Sequence, residues 1–231
     1  MAMKSRWRTF TKAWTCPVIS KPAPVSTQSW PAFSAGQLVK PAIFLSALVP
    51  FGYVVWRVVS NDLGADPAQE LAIETGEWSI RFLLLALAMT PLRQLTGQTG
   101  FVRHRRMIGL FALFYAAVHF AVWMTFLLAF RWGAIGAEII ERPYITIGFA
   151  AFMILVALGL TSPKFMVRKL GRNWKRLHRL VYAAGVLGVI HLLWIQRSDL
   201  IEPVVYGGIL ALLLGFRLFQ WQRKKRQAVQ A

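Results

Sequence analysis

Acids are scarce in this chain and thiols nearly absent. Of 231 residues, 9 are Asp or Glu and one, Cys16, is a cysteine. A single thiol forms no intrachain disulfide, and it rules out a four-thiolate zinc or iron–sulfur site. Charged residues of both signs make up 16% of the chain, where soluble domains carry about a quarter. Together with 56% hydrophobic residues, this argues against a water-soluble enzyme and for a chain that lives in lipid. P-loops, Gly-rich dinucleotide turns and catalytic triads are missing too. The lack of alternate-residue patterning speaks against a β-barrel. Eleven residues follow Gln220, too few for a flavin- or nicotinamide-binding domain at that end.

What is present is a series of apolar runs. A membrane helix needs roughly 20 mostly apolar residues at about 1.5 Å each. Six stretches answer that description, approximately Pro41 to Ser60, Trp78 to Leu95, Met107 to Phe130, Tyr144 to Thr161, Leu177 to Gln196 and Val204 to Gln220. The second is the weakest, because Arg81 and Pro91 shorten its apolar centre to Phe82 to Thr90; Arg81 can snorkel from one end and Pro91 can sit near the other. The expected fold is therefore an all-α membrane protein, a six-transmembrane-helix bundle over residues 41–221. A basic N-terminal extension (1–40) precedes it and a basic tail (222–231) follows.

Charge gives the orientation. The extension, the second and fourth loops and the tail hold Arg and Lys, including Arg103, Arg105, Arg106, Lys175, Arg176 and Lys224; the intervening loops hold every acid, from Asp62 to Glu77, then Glu138, Glu141, Asp199 and Glu202. Basic loops stay in the cytoplasm, so both termini are expected there. The net charge of +18 then reflects topology and attraction to anionic lipid rather than nucleic-acid binding. In the extension, Trp7, Trp14 and Trp30 sit among lysines; it reads as a flexible tail, an over-extended start, or a segment lying on the membrane surface.

Four histidines stand out, since ionisable side chains within a bilayer mark a pathway or a cofactor. His119 lies 13 residues beyond Arg106 and His191 lies 15 beyond Arg176, so both come to about 20 Å depth. Aromatic and aliphatic neighbours surround them. Two neutral imidazoles across an apolar slot suit the two axial positions of a haem iron, which leaves no open site and implies electron transfer rather than oxygen activation. A helix-packing hydrogen bond and a metal held by histidines without haem are the other readings of the same pair. His178, near the basic mouth, is a ligand to a second haem or a neighbour of propionate-binding arginines. His104, in Arg103-His104-Arg105-Arg106, reads as a solvated loop histidine.

Several ordered motifs resemble one family. They are Arg105-Arg106-Met107-Ile108-Gly109-Leu110 with Tyr115 and His119, Glu141-Arg142-Pro143-Tyr144-Ile145-Thr146-Ile147-Gly148, and Arg168 to Tyr182 ending in His191. Gly64-Ala65-Asp66-Pro67, Thr75-Gly76 and Thr90-Pro91-Leu92-Arg93 join them. Over about residues 40 to 221 the chain resembles the haem-binding membrane subunit of the bacterial periplasmic protein-methionine-sulfoxide reductase system, within the ferric-reductase-like transmembrane superfamily. The resemblance implies a multi-pass protein of the bacterial inner membrane that carries haem b and FMN, with His119, His178 and His191 as the iron ligands carried over. It implies an electron-transfer subunit that takes electrons from the quinone pool and passes them to a periplasmic molybdenum-containing reductase, which repairs methionine sulfoxide in proteins. A ferric-reductase-like haem core fed by a cytosolic flavin reductase is the alternative. A permease or a cofactor-free assembly subunit would show no haem absorption. Docking of the periplasmic partner is expected on the loops Asn61 to Glu77 and Arg131 to Pro143.

Overall fold

The computed structural model describes residues 35–98, 100–196 and 200–230. The first 34 residues, with Trp7, Trp14 and Trp30, lie outside the described residues. Every regular element among the described residues is a helix. In chain order these are α1 (Ala35–Val59), α2 (Pro67–Thr96), α3 (Gly100–Val122) continued by a π-helical turn (Trp123–Leu127), and a 3₁₀ turn (Trp132–Ala134) leading into α4 (Ile135–Glu141). Then come α5 (Pro143–Leu160), α6 (Lys164–Leu170), α7 (Arg172–Leu177), α8 (Leu180–Ile195) and α9 (Ile201–Gln230). Residues 222–230, expected as part of the tail, continue α9 as helix.

Among the described residues five segments are long and apolar enough to cross a membrane: Val39–Val59, Gly100–Leu127, Pro143–Leu160, Arg172–Ile195 and Ile201–Gln227. The remaining expected span lies in α2, which is not among them. Arg81 and Arg93 interrupt its apolar run. The structure shows where those charges can be tolerated, because α2 is the most enclosed helix, with Leu71, Thr75, Glu77, Ile80, Leu83, Leu87 and Met89 buried. It packs on α3 along its length and also touches α1, α8 and α9. Large apolar side chains face outward instead on the peripheral helices, among them Leu45, Val49 and Trp56 of α1 and Leu212 of α9.

The start of α2 corrects one expectation. Asp66 Oδ1 accepts from the Gln69 amide at 3.1 Å, Pro67 occupies the first turn, and Gly97 closes the helix in a left-handed conformation at φ 73°. Such caps satisfy the end groups of a helix. Helix therefore begins at residue 67, and most of the loop expected over Asn61 to Glu77 is its first three turns. The acids there have structural work. Arg57 at the end of α1 bonds Glu70 Oε1 at 3.1 Å and Glu74 Oε2 at 3.0 Å, and donates to the Asp62 carbonyl at 3.0 and 3.1 Å. Glu70 Oε2 also accepts from the Gly64 amide at 2.7 Å. The second expected loop, Arg131 to Pro143, is likewise largely the 3₁₀ turn and α4.

Lipid tails are as apolar as leucine, so polar links and close packing hold a membrane bundle together. Two helix-interior prolines show how those links are used. Pro50 breaks the ladder of α1, and the fully buried Tyr115 of α3 inserts there, accepting from the Phe51 amide at 3.0 Å and donating to the Ala47 carbonyl at 2.8 Å. Pro91 has no N–H for the Leu87 carbonyl four residues earlier, and Arg217 Nη2 of α9 donates to it at 2.9 Å. Ser79 of α2 donates to the Ala112 carbonyl of α3 at 2.9 Å. Around Tyr115 the rings of Phe82, Trp78, Phe111 and Phe114 form the aromatic centre of the core.

Tyr115→Phe is expected to lose about 1–3 kcal/mol, the cost of leaving two buried backbone groups unpaired, seen as a lowered thermal midpoint in detergent. The Gly64 amide and then the Arg57 guanidinium hold the Glu70 carboxyl below the usual carboxylate range. A depressed carboxyl contributes stability that is complete above that range and drains away as pH falls through its folded-state value. Acid destabilisation of the wild type is therefore expected to be steeper than that of Glu70→Gln, compared by thermal midpoints across an acid pH series.

Candidate functional site

Between α2, α3, α5 and α8 lies a cavity of about 910 Å³ whose lining includes Gly76, His119, Phe120, Trp123, Gly148 and His191. Pockets that hold small ligands run to about 300–1,000 Å³, so this one is at the large end. Aliphatic and aromatic side chains make up most of its wall. Asp66, Arg131, Glu138 and Arg142 join the lining at the end formed by the acid-bearing connections. Just beyond His119, the π-helical turn turns Trp123, Phe126 and Leu127 onto this wall; such turns recur at functional sites.

The two histidines that the sequence places at one depth meet here. Their ring centroids are 6.1 Å apart and their planes are 82° to one another. His119 Nδ1 is 2.7 Å from the Ala72 carbonyl of α2, and His191 Nδ1 is 2.7 Å from the Tyr144 carbonyl of α5. A carbonyl only accepts, so each Nδ1 carries the hydrogen and each Nε2 keeps its lone pair. That is how a metal-binding imidazole is ordinarily held, with the far nitrogen tied to a backbone carbonyl.

Both anchoring carbonyls are exposed by the same device. A helical side chain leans toward the N-terminus and covers the turn before it, so the residue four places on shields a given carbonyl. Four places after Ala72 is Gly76, and four after Tyr144 is Gly148. A Cβ at Gly148 would lie 2.6 Å from His191 Cε1 and Nδ1, and one at Gly76 would lie 3.1 Å from His119 Nδ1. Glycine at these two positions lets the imidazoles reach the backbone.

The other histidines lie elsewhere. His178 is not part of the cavity wall; its ring stacks on Trp174 at 4.0 Å with Nδ1 3.2 Å from the Trp174 carbonyl, and Arg105 of α3 is within electrostatic reach. His104 is half-buried near the start of α3. Among the described residues no three His, Cys, Asp or Glu side chains gather to hold a metal ion.

A polar cluster that sequence reading missed backs onto the cavity wall. Glu77 of α2, 7% exposed, pairs with Arg81 at 2.8 Å and accepts from Gln196 at 3.1 Å, while Arg81 Nε donates to Tyr206 Oη at 2.8 Å. The available signal was the cap sequence Asp66-Pro67-Ala68-Gln69, which starts α2 early enough to carry Glu77 into the bundle.

Comparison with known proteins agrees with this architecture. The family model for the ferric reductase like transmembrane component matches residues 75–189, an interval that holds Gly76, His119 and Gly148 and stops two residues short of His191. The heme-binding subunit MsrQ of protein-methionine-sulfoxide reductase from Xanthomonas euvesicatoria pv. vesicatoria is 49% identical over 187 residues, 78% of this chain and 86% of the relative. The chain belongs to the MsrQ family. MsrQ of Xanthomonas oryzae pv. oryzae is 48% identical over 189 residues (79% and 87%), and MsrQ of Bordetella pertussis is 43% identical over 192 residues (82% and 93%). These MsrQ relatives match most of the chain in each case.

Gly148→Ala is expected to displace His191 from the Tyr144 carbonyl, and Gly76→Ala to disturb His119 less, because its added carbon meets the ring 0.5 Å farther out. Metal–imidazole absorption of the purified variants checks the order; equal, wild-type spectra would refute it.

Proposed function

We propose that this chain is the haem b-holding membrane subunit of a protein-methionine-sulfoxide reductase system. In this reading it takes electrons from the quinone pool and passes them to a periplasmic molybdenum-containing subunit that repairs oxidised periplasmic proteins. The observation that carries the reading is the pair of imidazoles 6.1 Å apart, each with Nδ1 bonded to a backbone carbonyl. Metal–imidazole bonds of about 2 Å on opposite sides of one ion put ring centroids a little over about 6 Å apart. Two protein donors are too few for an ion that relies on the protein for four. They suit a metal that brings an equatorial set of its own, as the iron of a porphyrin does. The names of the MsrQ relatives state that those proteins bind heme.

Haem b bound in this cavity supplies one-electron transfer. The chain's own residues would do the rest. His119 and His191 would hold the iron through Nε2, and two protein imidazoles on one haem would keep its chemistry to electron transfer. The Ala72 and Tyr144 carbonyls fix the tautomer and the ring planes. Phe120, Trp123 and the aliphatic wall exclude water. Electrons would leave toward the end where Asp66, Arg131, Glu138 and Arg142 border the cavity, the side on which the periplasmic partner docks. Because Asp66, Glu70 and Glu74 have internal partners, the exposed Glu141 and the neighbouring turn offer a better contact for it.

The topology that fits this flow has six transmembrane helices in the bacterial inner membrane, α2 included, with both termini cytoplasmic. In it α2 crosses as an interior helix shielded from lipid. Residues 1–40 and 222–231 form basic cytoplasmic ends. FMN, and an iron-ligand role for His178, rest on the family resemblance; His178 would serve a second group outside this cavity.

A reduced-minus-oxidised spectrum of the purified protein is expected to show a six-coordinate b-type haem. His119→Ala and His191→Ala are each expected to lose it, while His104→Ala keeps it. Pigment-free protein that still reduces its partner would overturn the proposal.

A further inference from the structure

The basic end of the bundle holds a charge that the haem reading does not use. Arg217 of α9 has five N–H donors. Nη1 donates to Tyr182 Oη and Nη2 to the Leu87 carbonyl, while Nε–H is enclosed with no acceptor. Neither acceptor carries charge. The nearest acid on its own helix, Glu202, is 15 residues away, or about 22 Å along the axis. On α2 the nearest is Glu77, ten residues or about 15 Å from Leu87; α3 and α8 carry no acid. The charged side chain within electrostatic reach is instead another cation, Arg105. Two like charges in a partly enclosed site without a carboxylate leave an uncompensated cost.

A cleft of about 250 Å³ adjoins this guanidinium. Thr90, Gln94, Tyr182, Arg217, Gln220 and Trp221 are in its wall, and Lys225 sits over the Trp221 ring at 5.5 Å. The volume is below the roughly 300 Å³ at which pockets begin to enclose whole small ligands. It takes an anionic head group while the rest of the molecule lies outside. Hydroxyl and amide side chains around a forked guanidinium match a multi-oxygen anion, and phosphate with its several acceptors suits the fork better than a point contact.

We propose that the cleft beside Arg217 is a binding site for the phosphate group of a larger molecule, with Arg217 as its principal ligand and Lys225 at its rim. An anionic phospholipid carries that chemistry at the basic face of a membrane. The site stands apart from the histidine cavity, so its occupancy does not depend on the haem reading.

The test uses the full-length, pigment-loaded protein in detergent and in nanodiscs. Retention of dioleoylphosphatidylglycerol is compared with that of dioleoylglycerol by native mass spectrometry. The wild type is expected to favour the phosphate-bearing lipid by at least about tenfold, the scale of hydrogen bonds to a charged group, and inorganic phosphate is expected to compete with it. Arg217→Gln is expected to abolish the preference and Arg217→Lys to retain part of it, with unchanged haem spectra reporting that the bundle is intact. Because Arg217 also caps the Leu87 carbonyl, the competition by inorganic phosphate in the wild type decides the matter if the variants do not assemble. No preference for the phosphate-bearing lipid, or a preference that survives in a folded Arg217→Gln protein, overturns the site.

Discussion

Two hydrogen bonds from imidazole to backbone set the geometry on which the centre of this protein depends. Each runs from Nδ1 of a histidine to a carbonyl that already belongs to a neighbouring helix, at 2.7 Å in both cases. Such a carbonyl is reachable only where the residue one turn later has no side chain. Gly76 and Gly148 are thus part of the histidine site although neither has a functional group. The ring positions follow from helix packing and from two missing methyl groups, which is a more rigid arrangement than side chains holding side chains.

The same logic explains the role of α2. A bilayer penalises unpaired polar groups and gives apolar faces no reason to associate with one another rather than with lipid. The helix that carries Arg81, Glu77 and Arg93 is the one surrounded by other helices. Its polar atoms are matched inside the bundle, by Ser79 to α3, by Arg81 to Tyr206 and by the Leu87 carbonyl to Arg217. The peripheral helices can afford to be greasy because the interior one is not.

Much of this was legible in residue order. Apolar length located the helices, and the counts from Arg106 to His119 and from Arg176 to His191 predicted that two rings would come to one level, as they do. What escaped was decided by tertiary placement. Acids near residue 70 read as loop because acids rarely enter membrane helices, yet the Asp66 cap carries them into α2 and Arg57 gives them partners. Gly76 and Gly148 read as family letters, since the carbonyls they uncover are invisible until two helices are packed together. The Glu77 and Gln196 pairing joins residues 119 positions apart, beyond the reach of any local pattern.

The anchoring bonds also divide the bundle into halves. His119 of α3 is tied to α2, and His191 of α8 to α5, so each bond lies within one of the two most extensively packed helix pairs. The cavity is the seam between those pairs. Each half can form its own internal bonds before any pigment arrives, and whatever both rings grip becomes a rivet across the seam.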